Sequence, residues 1–409
     1  MPSRGVVITG MGAITPLGLT VEELWHGLIN GKNGIGLITH FDASSFPVKV
    51  ASEVKNFEPT KYMHIKRVDR TGRCAQFAIA AAKMAVASAK LNMSREKAER
   101  IGVVIGTNGM PTMLAGQAEI LKERGPMRID PLLISKFGAS MVPGHVGLEL
   151  GAKGPNTSLN SACTSGGDAL GAALNYLKLG HADVMIAGGA GTNVTTIGIA
   201  GTGRMGALSR EPDPDKACRP FDLNRSGFVY GEGAGMLVLE TYEHAIKRGA
   251  LIMAELAGAG WSFDAYSETA PEAKQRAEAA KIALQDAGIQ AGAVDYINAH
   301  GTGTKLNDAA ETEAIKMVFG KQAYHIPISS NKSMLGHLAC AAGAVEAIAT
   351  VMIIRNSIIP PTIHYETHDP ECDLDYVPNE ARHQMVNVCL SNSFGMGGQN
   401  CCLVIRRYS

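Results

Sequence analysis

Short runs of β-branched residues alternate with alanine-rich helical patterns along the whole chain, and this alternation limits the fold more than any other feature. A regular exchange of the two is typical of an α/β protein. Strands are predicted at residues 6–9, 101–106, 183–187, 236–240, 296–299, 326–329, 388–391 and 402–405. Helices are predicted at residues 71–91, 167–180, 271–288, 309–319 and 343–355.

A weak internal repeat divides the chain into two similar halves. Residues 157–163 lead from a strand into a small-residue helix, and residues 328–333 lead in the same way toward the helix at 343–355. Each half also ends in a glycine-rich segment followed by a strand. We therefore expect an N-terminal half at residues 1–250 and a C-terminal half at residues 251–409, with their polar turns facing each other.

Composition excludes several classes of protein. The 38 Lys and Arg residues balance 38 Asp and Glu residues, so no basic surface for nucleic acid or a membrane is indicated. The longest apolar run, at residues 339–354, contains Glu346 and is shorter than the roughly 18 residues that span a bilayer. Scattered cysteines and the lack of a leader-like N-terminal segment predict a cytoplasmic protein.

The 47 glycines make up about 11% of the 409 residues, more than the expected share of about 7%. The first cluster, Gly10 and Gly12, follows a predicted strand, but Thr15 stands where a dinucleotide-binding motif needs its third glycine. We interpret this cluster and most of the others as tight turns at strand ends.

Cys163 is a candidate nucleophile because small residues surround it at the start of a predicted helix. The positive end of a helix dipole lowers a thiol pKa from about 8.5, and small neighbours admit a substrate. The alternative is a buried cysteine that acts only as a small hydrophobic residue.

Two histidines lie in similar glycine-containing loops at strand ends. His300 is followed by Gly301 and Thr302, and His337 follows Lys332 by five residues. A metal site formed by His300, His337 and Asp308 is the alternative, but these residues have no fixed metal-ligand spacing. We expect no metal and no cofactor.

These three segments, Ser-Ala-Cys-Thr-Ser-Gly, Asn-Ala-His-Gly-Thr-Gly-Thr and Asn-Lys-Ser-Met-Leu-Gly-His, resemble those of the elongating β-ketoacyl-acyl carrier protein synthases and the related type II polyketide ketosynthases. The similarity covers nearly the whole chain. It implies the thiolase-like α/β fold, two similar halves in a five-layered α-β-α-β-α sandwich. It also implies decarboxylative condensation of malonyl carrier protein with an acyl group, in fatty acid or polyketide chain elongation.

The resemblance also implies roles for individual residues. Cys163 accepts the acyl group, His300 and His337 promote decarboxylation, and Lys332 supports the two histidines. An oxyanion hole is formed by the backbone N–H groups of Cys163 and Phe394. The remaining positions that match the family are supporting acidic residues, Glu346 and Asp308, and substrate contacts, Thr302, Thr304, Gly109, Phe394 and Met396.

Two of these positions depart from the pattern of the elongating enzymes. Gly109 stands where a bulky aliphatic residue commonly closes the acyl pocket, and Met396 replaces an aromatic residue in the Phe-Gly-Phe-Gly-Gly segment. We therefore hypothesise a deeper pocket for long, rigid or polyene chains.

The implied partners are acyl carrier protein and a second subunit, either a second copy of the chain or a chain-length factor. A basic patch for the carrier protein is expected around Lys61, Lys66, Arg67, Arg70 and Arg73. One alternative is a non-catalytic chain-length-factor subunit. The other is a non-decarboxylating thiolase, which needs a second acid/base cysteine such as Cys401 or Cys402.

Overall fold

The computed structural model describes residues 5–408. Its strands are β1 Val6–Ile14, β2 Gly36–Leu37, β3 Val50–Ala51, β4 Ile101–Gly106, β5 Asn156–Leu159, β6 Val184–Thr192, β7 Glu232–Thr241, β8 Ala254–Phe263, β9 Tyr296–Asn298, β10 Ile328–Ser329, β11 Ile358–Ile359, β12 Arg382–His383, β13 Val388–Phe394 and β14 Gln399–Arg406. Its helices are α1 Val21–Ile29, α2 Ile65–Val68, α3 Arg73–Ser88, α4 Met113–Arg124, α5 Leu133–Phe137, α6 Met141–Leu150, α7 Ser165–Lys178, α8 Thr196–Arg204, α9 Pro214–Ala217, α10 Tyr242–Lys247, α11 Ala273–Ala287, α12 Lys305–Phe319, α13 Lys332–Leu335 and α14 Ala342–Asn356.

Ten strands form one continuous sheet with internal symmetry. Its order is β10-β9-β13-β14-β8-β1-β7-β6-β4-β5, so each half of the chain contributes five adjacent strands. In both halves, two strand pairs toward the edge are parallel and the next two are antiparallel. The halves join through only two residue pairs, Val7 with Glu255 and Ile8 with Ala254.

Helices separate the two half-sheets into layers. Helix α3 packs on the outer face of the N-terminal half-sheet, and α11 packs on the outer face of the C-terminal one. Helices α7 and α14 lie between the half-sheets and contact strands of both. This arrangement confirms the predicted α/β fold with an α-β-α-β-α sequence of layers.

The internal repeat extends to the turns at the centre of the molecule. A 3-10 turn at Ala162–Thr164 precedes α7, and a second one at Ala339–Ala341 precedes α14. The first alanine of each turn has a positive φ, 55° at Ala162 and 50° at Ala339. Both helices therefore start at the interface between the halves, where the turns contact each other.

The interpretation of the first glycine cluster as a turn was wrong. Gly10 and Gly12 lie inside β1 and face α3. A Cβ atom would lie 2.2 Å from the carbonyl oxygen of Ala85 at Gly10, and 2.1 Å from that of Ala81 at Gly12. These glycines let a helix backbone lie directly on the strand.

One apolar segment is longer than the sequence suggested. Within the described residues, the helical stretch Ala339–Asn356 reaches 18 residues and is apolar enough to cross a membrane by length and composition. However, 83% of it is buried inside the protein, because α14 packs between the two half-sheets. The segment is a core helix of this fold.

Candidate active site

Cys163 lies in the turn that connects β5 to α7. The positive φ of Ala162 turns the chain sharply, so that the Cys163 side chain is only partly buried and faces a cavity. The other seven cysteines of the chain are buried. Cys163 is therefore the thiol that a substrate can reach.

Asp168 fixes the shape of this turn from the first turn of α7. Its carboxylate accepts hydrogen bonds from the hydroxyls of Ser161 and Thr164, which flank the turn. It also accepts one from the indole N–H of Trp261 at 2.8 Å, across the boundary between the halves. Asp168 was not predicted, although its place one helical turn after Thr164 could have indicated a capping role.

His300 follows β9 and is held through its backbone by Glu311 of α12. The Glu311 carboxylate accepts the backbone N–H groups of His300 and Gly301, each at 2.8 Å, and the side-chain amide of Asn392 at 3.1 Å. Glu311 is fully buried. The sequence reasoning missed it because nothing in a spacing of eleven residues identifies the contact.

His337 is held in one tautomer. Its Nδ1 accepts the backbone N–H of Ala339 at 3.2 Å, so the ring proton of the neutral imidazole lies on Nε2. That Nε2 is buried and has no partner among the described residues. His337 therefore presents a free N–H donor to the site.

Cys163, His300 and His337 come together as predicted. The Cys163 sulfur and a ring nitrogen from each histidine all lie within 4.8 Å of one another. The two imidazole rings are nearly perpendicular, with centroids 5.3 Å apart. This spacing suits proton and hydrogen-bond exchange with one small reacting group, and it also falls within the reach of a metal ion.

The metal-site alternative named a different third ligand, Asp308, which is occupied elsewhere. Its carboxylate accepts the backbone N–H groups of Phe221 at 2.8 Å and Gly303 at 3.3 Å. Burial raises its pKa to about 6 even though Arg225 lies 3.6 Å away. Asp308 holds the loop that follows His300 and does not join the Cys163 cluster.

A buried ion pair controls the charge of the site. Lys332 is 1% exposed and donates to Glu346, which is also buried. Burial and the positive charge of Lys332 both hold the pKa values of His300 and His337 well below the usual 6.5. Both imidazoles are therefore neutral at physiological pH and act as N–H donors or proton acceptors.

The thiol of Cys163 does not behave as the sequence predicted. Burial raises its pKa to about 11, although a hydrogen bond from the backbone N–H of Met396 and the charge of Lys332 act in the opposite direction. Desolvation outweighs these favourable contacts. Cys163 is therefore protonated in the free protein at neutral pH.

A cavity of 410 Å³ leads from the surface to Cys163, His300 and His337. Thr302 and Thr304 line it, with their hydroxyls 3.0 Å apart. Other predicted residues in its wall are Phe394 and Met396. Its outer part is partly apolar, with Met205, Leu306 and Met396 exposed around it.

Gly109 does not line this cavity, and its predicted contact with substrate stays a prediction. Its φ is 65°, and a Cβ atom would lie 2.3 Å from the carbonyl oxygen of Phe137. Any larger residue there would strain the backbone, whatever space lies beyond it.

The backbone N–H that reaches the Cys163 sulfur belongs to Met396. This contact was not predicted from the sequence, which assigned to Phe394 an N–H of the oxyanion hole, and the Phe394 ring packs 5.8 Å from the ring of His300. The contribution of the Phe394 N–H to an oxyanion hole stays a prediction.

Carboxylates of the same protein engage three of the five residues in the expected carrier-protein patch. Lys61 pairs with Glu58, Arg67 with Glu149, and Arg73 with Glu232. Lys66 and Arg70 are exposed, and no ion pair engages them among residues 5–408.

The cysteines required by the thiolase alternative lie away from the cavity. Cys401 and Cys402 are fully buried in β14, and burial raises both pKa values. A general acid or base must exchange protons with the reacting groups, so neither thiol fits that role.

Comparison with known proteins gives full-length matches. The family model described as β-ketoacyl synthase, N-terminal domain, matches residues 3–245, and its C-terminal counterpart matches residues 253–366. The 3-oxoacyl-[acyl-carrier-protein] synthase 2 of Synechocystis sp. is 46% identical, covering 100% of this chain and 99% of the relative. The protein of the same name from Coxiella burnetii is 45% identical with the same coverage.

Solved structures agree with these matches. A chain of the ishigamide ketosynthase/chain length factor aligns with a TM-score of 0.94 and 39% identity, covering all of both chains. A type II polyketide synthase acyl carrier protein in complex with its ketosynthase, bound to the hexaketide, provides a second match. That chain has a TM-score of 0.91 and 35% identity, covering 99% of this chain and 100% of that one.

Proposed function

Because the chain belongs to the β-ketoacyl synthase family, it catalyses decarboxylative condensation of malonyl carrier protein with an acyl thioester, and we propose that Cys163, His300 and His337 carry out this reaction. The observation that carries the proposal is the approach of the Cys163 sulfur and both ring nitrogens to within 4.8 Å of one another. One nucleophile and two neutral imidazoles at this distance supply every group that the reaction needs.

The first step loads the acyl group onto the enzyme. The Cys163 sulfur attacks the acyl thioester, and the bond to the carrier-protein sulfur breaks. Because the Cys163 pKa is about 11, its proton must be transferred as the new bond forms. The proton ends on the departing carrier-protein thiol.

The second step breaks a carbon–carbon bond of the malonyl group. Its carboxylate leaves as carbon dioxide, and the electron pair moves onto the thioester as an enolate. The Nε2–H of His337 donates to the enolate oxygen, since Ala339 fixes that tautomer, and we assign the second hydrogen bond to this oxygen to His300. A neutral imidazole also avoids stabilising the carboxylate that must leave, which a cation would do.

The third step forms the product. The enolate carbon attacks the acyl-Cys163 carbonyl, and the Cys163 sulfur leaves as a thiolate that takes up a proton from solvent. The backbone N–H of Met396 points at this sulfur and can stabilise its charge as it departs. The product is a β-ketoacyl group on the carrier protein, longer by two carbons.

The proposed assembly includes a carrier protein and a second subunit. One solved relative is described as a ketosynthase in complex with its acyl carrier protein. Strand β5 forms one edge of the sheet and contacts α6, on which Leu148 is 65% exposed; α5, which contacts α6, carries Ile134, 68% exposed. An open edge with apolar neighbours suits pairing with a second subunit. We propose a homodimer, and sedimentation with and without Ile134→Glu tests it.

The preference for long or polyene chains is better tested at Met396 than at Gly109. Met396 is 42% exposed in the cavity wall, so Met396→Phe adds bulk without backbone strain. We expect shorter acyl chains to be favoured in this variant. An unchanged chain-length preference would exclude a role for Met396 in substrate choice.

We also propose a cytoplasmic location and a division of the chain at residues 250 and 251. The division is supported by the two five-strand units, since β7 ends at Thr241 and β8 begins at Ala254. Fractionation of cells with an antibody to the protein tests the location.

Intact-mass analysis tests the proposed reaction. Incubation with acylated carrier proteins should give an acyl adduct, which Cys163→Ala abolishes. Addition of malonyl carrier protein should then release a β-ketoacyl product. The variant Cys74→Ala is a suitable control, because Cys74 is buried outside the cavity. Absence of an adduct with every thioester tested would refute the proposal.

A further inference from the structure

Arg276 is a buried cation in the wall of the active-site cavity. It lies in the first turn of α11 and is 5% exposed. One of its terminal N–H groups donates to the carbonyl oxygen of Asn307 at 3.0 Å, but its Nε–H has no acceptor among the described residues. Arg276 forms no ion pair in residues 5–408; the ion pair of the nearby Asp308 is with Arg225.

The main contact of its guanidinium is an aromatic ring. The Arg276 Cζ lies 4.4 Å from the centroid of the Phe394 ring. Phe394 is 4% exposed, so water does not weaken this cation–π contact. Glu311, Asp264 and Asp308 lie close enough to favour the Arg276 charge but do not bond to it.

The same Phe394 ring packs against a catalytic imidazole. Its centroid lies 5.8 Å from that of His300, with the two planes inclined by 68°. The Phe394 ring therefore contacts both the Arg276 guanidinium and the His300 imidazole. If the Phe394 ring moved, Arg276 would lose its main partner and His300 would lose one of its walls.

We propose that Arg276 is a positioning residue that fixes the Phe394 ring beside His300. This inference rests on the proposed function, because it assigns His300 to the reaction. Arg276 acts through the Phe394 ring; its charge also lowers the pKa of His300, which burial and Lys332 already hold well below 6.5. Burying the Arg276 charge without a carboxylate partner costs stability, and an apolar residue at this position would avoid that cost.

A double-mutant cycle with Phe394 tests the inference. Arg276→Met keeps an unbranched apolar chain but removes the charge. In the otherwise native protein it should lower kcat for β-ketoacyl formation about ten- to thirtyfold, as expected for a desolvated cation–π contact. In the Phe394→Leu background it should cost less than about twofold, because its target ring is absent. An equal loss in both backgrounds would overturn the proposal.

A merely structural role would give other readouts. Replacing a buried charge by an apolar residue is often neutral or stabilising, so Arg276→Met should keep or raise Tm while kcat falls. KM for malonyl carrier protein should change less than about threefold, since the substrate contacts remain. Arg276→Lys keeps the charge and should recover most of kcat. A lysine variant no better than the methionine variant would count against the proposal.

Lys316→Met is the matched control. Lys316 lies 5.4 Å from the Tyr324 ring centroid, outside the cavity, and its replacement should leave kcat unchanged. The same Arg276–Phe394 double-mutant cycle, measured by urea unfolding, distinguishes a failure of this inference from a failure of the proposed function. If the native protein makes no β-ketoacyl product, the proposed function fails. A coupling in unfolding would still confirm the contact, and its absence would refute the contact itself.

Discussion

Replacement of Glu311 by glutamine should separate decarboxylation from acyl loading. One carboxylate oxygen accepts the His300 N–H at 2.8 Å and the Asn392 amide at 3.1 Å, and the other accepts the Gly301 N–H at 2.8 Å. The amide of a glutamine would place an NH₂ group against one of these donors. At least one hydrogen bond to a charged acceptor is then lost.

The size of the effect follows from that bond. A hydrogen bond to a charged group contributes about 1.5–3 kcal/mol, so misplacement of His300 should lower the decarboxylation rate about 10- to 150-fold. The free energy of unfolding should fall by a similar amount. Acyl loading of Cys163 should persist, because Glu311 has no hydrogen bond to the turn at Ala162–Thr164.

The assay measures two signals in the same sample. Carbon dioxide release from malonyl carrier protein reports decarboxylation, and intact mass reports loading. Glu313→Gln is the matched control, since Glu313 is exposed two residues along the same helix. Carbon dioxide release within about twofold of the native rate, in a protein destabilised as predicted, would refute the reasoning.

Three further predictions concern pH. The rate of Cys163 alkylation by iodoacetamide, measured by peptide mass spectrometry, should keep rising up to about pH 11. A rate that levels off near pH 8.5 would contradict the raised pKa of Cys163. Because the pKa values of His300 and His337 lie well below 6.5, decarboxylation should be retained as pH falls through 6.5, and a loss centred there would show that an imidazole protonates normally. Burial alone would raise the pKa of Glu240, but Arg248 and other donors hold it at about 2. Since this lies below the unfolded value of about 4.3, its contribution of about 3 kcal/mol is present above pH 4.3 and lost as pH falls toward 2. Glu240→Gln should therefore lower Tm at pH 7 and flatten the loss of stability in acid, as checked by thermal melts.

Strands rich in β-branched residues could be located from the sequence, while strands of small residues could not. The run at residues 101–106 is β4 without any change of bounds. In contrast, β8 was missed because Ala254–Phe263 contains alanine and glycine but no β-branched residue. Its glycines serve helix packing: a Cβ at Gly260 would lie 2.2 Å from the carbonyl oxygen of Ala279. Small residues lower strand propensity but admit the helix.

The grouping of Cys163, His300 and His337 could be predicted because motifs carry these residues, whereas their environment could not. Cys163, His300 and His337 each lie in a short segment with a distinctive pattern. The Cys163 pKa depends on desolvation by both halves of the fold, and no local pattern reports that. Glu311 lies on α12 and Arg276 on α11. No local sequence pattern identifies either residue, because only the fold brings these helices to the site.

The most direct test of the account is carbon dioxide release by His337→Ala that has been acylated in advance. If the Nε2–H of His337 stabilises the enolate, this variant should carry a normal acyl adduct on Cys163 but release carbon dioxide from malonyl carrier protein at least about 100-fold more slowly than the native protein. Undiminished carbon dioxide release from a fully acylated, folded variant would contradict the division of work between Cys163 and the histidines.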